Sequence, residues 1–136
     1  MHLLIYTDGG ARNNPGPAGF GYVICDRSGK TIEARGAYIG EATNNVAEYK
    51  GMIAAANRAA ELDAAAAEFR VDSELLERQV NGRYRVKAAH LRPLFEELMK
   101  ALGRLPAWSV RHVRREGNHV ADSLVNRAID ARGEVT

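Results

Sequence analysis

Apolar residues come in short runs of strand length near the N-terminus. Leu3-Leu4-Ile5-Tyr6 leads into Asp8, and His2 to Asp8 is predicted as a first strand. Phe20-Gly21-Tyr22-Val23-Ile24-Cys25 is predicted as a second. Asp26 to Lys30 supplies turn residues, and Thr31 to Ile39 alternates loosely as a returning third strand, so the pair must be antiparallel. The period then changes. Val46, Tyr49, Ile53, Ala56 and Ala60 fall three or four apart, which predicts an amphipathic helix entered from the polar segment Gly40–Asn45. Glu68 to Asp72 has strand character, and Ser73 is placed to cap a helix running from Glu74 to Val80 that Asn81-Gly82 ends.

A basic link, Arg83 to Lys87, leads to a further helix with Leu91, Leu94, Phe95, Leu98, Met99 and Leu102 inward. Pro93 belongs in its first turn and Gly103 closes it. Ala107 to Arg114 alternates as a last strand, with Trp108 on its core side. After the loop Arg114-Arg115-Glu116-Gly117, Asn118 is expected to cap a final helix with Ala121, Leu124, Val125, Ala128 and Ile129 inward. His119 is expected as an exposed helical residue. A strand–helix–strand passage from Thr31 to Asp72 requires a parallel pairing, so the class is α/β with a mixed sheet. Without a repeat, linker or low-complexity tract, residues 1–136 are expected to form a single domain.

Charge alters this picture more than composition does. The net charge is only +2, yet Arg78–Arg115 holds ten basic residues and only Glu96 and Glu97 as acids. A basic segment beside an acidic remainder points to a phosphate-bearing partner and to cation-binding carboxylates. No apolar run approaches the roughly 20 residues that span a bilayer. The N-terminus lacks the features of a signal peptide, and the lone Cys25 cannot form an internal disulfide. A cytoplasmic setting is therefore expected. No protein partner is evident.

Four acids stand at strand ends or helix starts: Asp8, Glu48, Asp72 and Asp122. Each has an ordinary structural alternative. Asp8 could be a turn residue before a glycine-rich loop, Glu48 the acidic third residue of a helix capped by Asn45, and Asp122 a complement to a helix dipole. Taken together they suit one sheet edge, where strand C-termini and helix N-termini meet. Four carboxylates there could not remain ionised without cations, and hard oxygen ligands suit Mg²⁺ or Mn²⁺. A pair of such ions is a device for phosphodiester hydrolysis.

The wording around these acids resembles type 1 ribonuclease H. The matching stretches are Tyr6-Thr7-Asp8-Gly9-Gly10, Asn14-Pro15-Gly16-Pro17-Ala18-Gly19-Phe20-Gly21, Thr43-Asn44-Asn45-Val46-Ala47-Glu48, Val71-Asp72-Ser73 and Asn118-His119-Val120-Ala121-Asp122. The resemblance spans almost the whole chain and is closest to compact archaeal and bacterial members without the basic protrusion. It implies a five-stranded mixed sheet with helices on both faces. It also implies hydrolysis of the RNA strand of RNA/DNA hybrids by two Mg²⁺ ions, with Mn²⁺ as substitute, leaving 5′-phosphate and 3′-hydroxyl ends. Asp8, Glu48, Asp72 and Asp122 match the family's catalytic, metal-holding carboxylates. Gly9, Gly10, Asn14, Asn44 and Asn45 match its substrate-binding positions.

Three departures stand out. Only Gly82–Lys87 links the two middle helices, so Arg83, Arg85 and Lys87 are candidates to grip the hybrid in place of the protrusion. Glu74 stands where the family often has Gln. The loop before Asp122 holds Arg114 and Arg115 instead of a mobile His, and Arg115 is the candidate to assist at the phosphate, with Arg114 as the alternative. An A-form RNA duplex offers a minor groove similar to a hybrid's, so double-stranded RNA is a further candidate substrate. A non-catalytic binding module on the same fold is the alternative from another class, against which the survival of all four acids counts.

Overall fold

The computed structural model describes residues 1–136. Five strands, β1 (His2–Ala11), β2 (Gly16–Cys25), β3 (Thr31–Ala42), β4 (Ala66–Val71) and β5 (Trp108–His112), form one mixed sheet in the order β3-β2-β1-β4-β5. The first three are antiparallel neighbours, whereas β1–β4 and β4–β5 are parallel. The helices are α1 (Asn44–Glu61), α2 (Glu74–Val80), α3 (Arg92–Leu102) and α4 (His119–Ala131), the last entered through a 3-10 turn at Arg115–Asn118.

Alternation along β2 assigns the faces. Tyr22 and Ile24 join Ile5, Phe69, Tyr49, Met52 and Leu98 in the main core beneath α1 and α3. Val23 and Cys25 point the other way and pack with Leu124 of α4. Helices therefore cover both faces of the sheet. α4 lies close against it: a Cβ on Gly21 would sit 2.7 Å from the Ala121 carbonyl oxygen and 2.8 Å from Leu124 Cβ. Only a glycine admits that approach. No helix is long and apolar enough to cross a membrane.

The first strand differs from its expected extent. β1 runs on through Asp8, Gly9 and Gly10 to Ala11, paired with Gly21, Phe20, Gly19 and Ala18 of β2. Much of the glycine-rich stretch is thus ladder and not loop, and only residues 12–15 form the connection. Glycine is a poor strand former, but here the missing side chains admit α1 and α4. The parallel ladder with β4 stops at Thr7–Val71. Asp8 therefore stands just beyond the end of its β4 neighbour, although its own strand continues.

The helix caps show one match and two corrections. Ser73 Oγ accepts from Leu76 N at 3.1 Å and caps α2 as expected. The cap of α1 is Thr43, not Asn45, with its Oγ1 accepting from Val46 N at 3.2 Å. Glu48 consequently lies beyond the first turn and takes no part in capping. Asn118 precedes α4 but makes no side-chain cap. Trp108 packs half-buried against the core, and His119 is exposed.

Candidate active site

Asp8, on β1, is 6% exposed, and Glu48, on the buried side of α1, is 8% exposed. The two elements touch at Gly9, where a Cβ would lie 2.3–2.4 Å from backbone atoms of Ala47 and Glu48. Across this contact Gly9 N donates to Glu48 Oε1 at 3.0 Å. Asp72 follows β4 and immediately precedes the cap of α2. One carboxylate oxygen from each of Asp8, Glu48 and Asp72 can be chosen so that all lie within 4.8 Å of one another. Asp122, in the first turn of α4, lines the same cleft of about 380 Å³ but stands outside this tight trio.

The trio is electrostatically costly as it stands. Burial pushes the Asp8 carboxyl far above the usual carboxylate range, and the charges of Glu48 and Asp72 add to the effect. Burial likewise pushes Glu48 up, with Asp72 adding to the shift, while Gly9 N–H and the Arg115 guanidinium oppose it. Three acidic side chains with converging oxygens in a buried corner form an all-oxygen donor set that a hard divalent cation would relieve. The residues present therefore fit the metal implied by the motif resemblance.

The remaining predicted residues divide between the wall and its support. Gly9, Gly10, Asn44, Asn45 and Arg115 line the cleft, together with Arg12, Ser73 and Asn126. Asn14 does not. Its Oδ1 accepts from Asn44 N at 2.9 Å, while Asn44 Oδ1 accepts from Ala11 N at 2.8 Å. The two side chains tie the β1–β2 connection to the start of α1, and each keeps only its NH₂ group to donate elsewhere. Arg114 is exposed and absent from the wall, so of the two loop arginines Arg115 is the one delivered to the carboxylates. Glu74 is exposed, with Oε2 3.6 Å from Arg78 Nη2. Sequence reasoning missed Arg12 and Asn126 on the wall. Neither sits in a local pattern, because the fold alone brings the β1–β2 turn to α4, where Arg12 pairs with Asp130 at 2.7 Å.

This sheet order, with two buried acids and the half-buried Asp72 gathered beyond the β1–β4 ladder and a fourth acid on the helix of the opposite face, defines a ribonuclease H-like domain. A family model described as reverse transcriptase-like matches residues 6–128. The bifunctional protein Rv2228c of Mycobacterium tuberculosis is 40% identical across 98% of this chain, which spans only 37% of that protein's length. The crystal structure of RNase H1 from Halobacterium salinarum superposes with a TM-score of 0.93 at 38% identity, covering 96% of this chain and 99% of that one. LC11-RNase H1, solved in complex with an RNA/DNA hybrid, gives a TM-score of 0.91 at 45% identity, covering 96% and 98%. The chain belongs to the type 1 ribonuclease H family.

Proposed function

We propose that residues 1–136 form one catalytic domain that hydrolyses the RNA strand of RNA/DNA hybrids, leaving 5′-phosphate and 3′-hydroxyl ends. The observation that carries this is the convergence of Asp8, Glu48 and Asp72 within 4.8 Å, in a cleft that also holds Asp122 and Arg115. Asp8, Glu48, Asp72 and Asp122 would hold two Mg²⁺ ions, or Mn²⁺ in their place. Such ions supply Lewis acidity and neutralise charge building on the phosphate oxygens. A cytoplasmic setting suits the buried, unpaired Cys25.

The protein's own groups orient the substrate. Asn44 and Asn45 offer amide donors beside the carboxylates, suited to phosphate oxygens and 2′-hydroxyls across a shallow minor groove. Asn14 supports that wall from behind. At Gly10 a Cβ would meet only Val125 Cγ1 at 3.8 Å and Asn44 Oδ1 at 3.9 Å, which is ordinary contact. Packing does not demand glycine there, whereas a backbone approaching from the cleft would. Gel analysis of labelled hybrid, RNA duplex and DNA duplex, each with and without Mg²⁺, tests the reading. Metal-dependent cleavage of hybrid RNA is expected, and the RNA duplex arm measures the breadth of the activity. An intact hybrid in Mg²⁺ and in Mn²⁺, or DNA duplex as the preferred substrate, would overturn it.

Arg115 is the group assigned to the scissile phosphate. Its guanidinium stays protonated and can hold phosphate bidentately, so it stabilises charge and does not act as a base. Arg115→Ala should lower turnover by about tenfold to a hundredfold, roughly 1.4–2.7 kcal/mol of transition-state stabilisation. Arg115→Lys should recover part of this, and Arg114→Ala should leave turnover close to wild type. Steady-state kinetics on a labelled hybrid check all three.

The basic link lines a groove that meets the active-site cleft at Asn45. Its wall includes Arg83, Tyr84, Arg85 and Lys87. Arg83 is partly engaged, with Nη1 3.7 Å from Glu77 Oε1, which leaves Arg85 and Lys87 freer to meet phosphates. Replacing all three basic residues with Ala should weaken hybrid binding and flatten its dependence on salt, because fewer counterions are released. Binding titrations over a range of salt concentrations would show it, and an unchanged slope would place the link away from the nucleic acid.

A further inference from the structure

The segment that carries Arg115 is pinned at both ends to the two strands that carry Asp8 and Asp72. On one side Val113 N donates to Val71 O at 2.8 Å, next to Asp72. On the other side Asn118 Nδ2 donates to Thr7 O at 2.8 Å, next to Asp8. Between these anchors the chain makes a single 3-10 turn, closed by Gly117 N donating to Arg114 O at 2.9 Å. The first anchor is a backbone contact that any residue would make. The second depends on one side chain.

Asn118 is unusual in its surroundings. Its neighbours Arg114 to Gly117, His119 and Val120 are all exposed, yet Asn118 is 2% exposed. It stands at the N-cap position of α4, yet its side chain makes no capping hydrogen bond. Its Oδ1 is buried without a protein partner, as is the Thr7 Oγ1. An amide held in so costly a place, bonding across 111 residues of sequence, does more than fill space.

We propose that Asn118 is a positioning residue that fixes Arg115 and Asp122 against Asp8. It ends the turn bearing Arg115, and it lies one helical turn before Asp122 in α4. Its single bond to Thr7 thus sets where both groups enter the cleft. Asn118 is not part of the cleft wall and acts through those two residues. The inference rests on the nuclease reading for its kinetic arm only.

Two readouts test it. In metal-free protein, hydrogen exchange at the Gly117 amide, the one that closes the turn, should accelerate about tenfold or more in Asn118→Ala, with the central strands still protected, since the local opening free energy falls and the global one does not. In kinetics on a hybrid, Asn118→Ala should lower turnover about tenfold with little change in KM. Adding Arg115→Ala to it should cost less than the product of the two single effects, because both remove one contribution. Asn118→Ser, a smaller change that can still donate, guards against misfolding of the Ala variant and should show the same pattern more weakly. Unchanged exchange at Gly117 would overturn the proposal, as would losses that multiply in the double variant. Failure of the wild-type chain to cleave hybrid would instead sink the nuclease reading, and the exchange experiment would still decide the tie.

Discussion

Asp8→Asn is expected to abolish hybrid cleavage while raising the stability of the metal-free protein at neutral pH. The two effects share one cause. Asp8 belongs to the acidic trio and is buried, with its carboxyl pushed up first by that burial and then by Glu48 and Asp72. A neutral amide cannot supply the charge that holds divalent ions, so catalysis stops. The same amide removes a carboxylate that the folded state tolerates poorly. A carboxyl whose folded pKa is raised binds its proton more tightly in the folded chain, so stability falls as pH rises from its unfolded value near 4. Wild-type protein in chelator should therefore become more stable as pH drops from about 7 towards 5, and Asp8→Asn should blunt that slope. Divalent cation should raise the melting temperature of wild type and do so much less for the variant. Thermal melts across pH with and without Mg²⁺, alongside cleavage assays, check each part. Turnover like wild type in Mg²⁺ would remove Asp8 from the metal site.

Which features were legible from sequence follows from how local their causes are. The apolar runs Leu3–Tyr6 and Phe20–Cys25 reflect burial on both faces of the sheet, and the helical spacing from Val46 to Ala60 reflects contact with one buried face, so run length and period revealed them. Ser73 was legible because its hydrogen bond spans only three residues. The extension of β1 through Gly9 and Gly10 was not. Local preference reads those glycines as loop, and only the approach of α1 onto Gly9 explains why a side chain is missing there. The start of α1 was ambiguous because Thr43, Asn44 and Asn45 can all cap, and tertiary structure commits Asn44 to Ala11. Arg115 and Arg114 were indistinguishable as neighbours in a loop until the anchors at Val71 and Thr7 oriented the turn. The bond from Asn118 to Thr7 had no local signal, since its partner lies 111 residues away.

Glu48→Gln separates structure from chemistry at the second buried acid. Had Glu48 been the third residue of a capped helix, as its distance from Asn45 suggested, Gln would preserve that role and little else would change. Thr43 caps α1 instead, and Glu48 Oε1 receives Gly9 N across the β1–α1 contact. The amide oxygen of Gln can accept the same bond, so the strand–helix contact should survive. Losing a charge that burial disfavours offsets the weaker acceptor, and stability should change by less than about 1 kcal/mol. Ligation is affected differently, because Gln presents a neutral oxygen where the trio needs a third negative one. Turnover should fall by about a thousandfold or more, at least 4 kcal/mol of transition-state stabilisation. Hybrid binding measured without divalent cation should be nearly unaffected, since the nucleic-acid contacts proposed above come from Asn44, Asn45, Arg115 and the basic link. Melting curves, cleavage rates and metal-free binding of this one variant give three independent numbers. Full activity would return Glu48 to a purely structural role, holding Gly9 so that α1 can lie against β1.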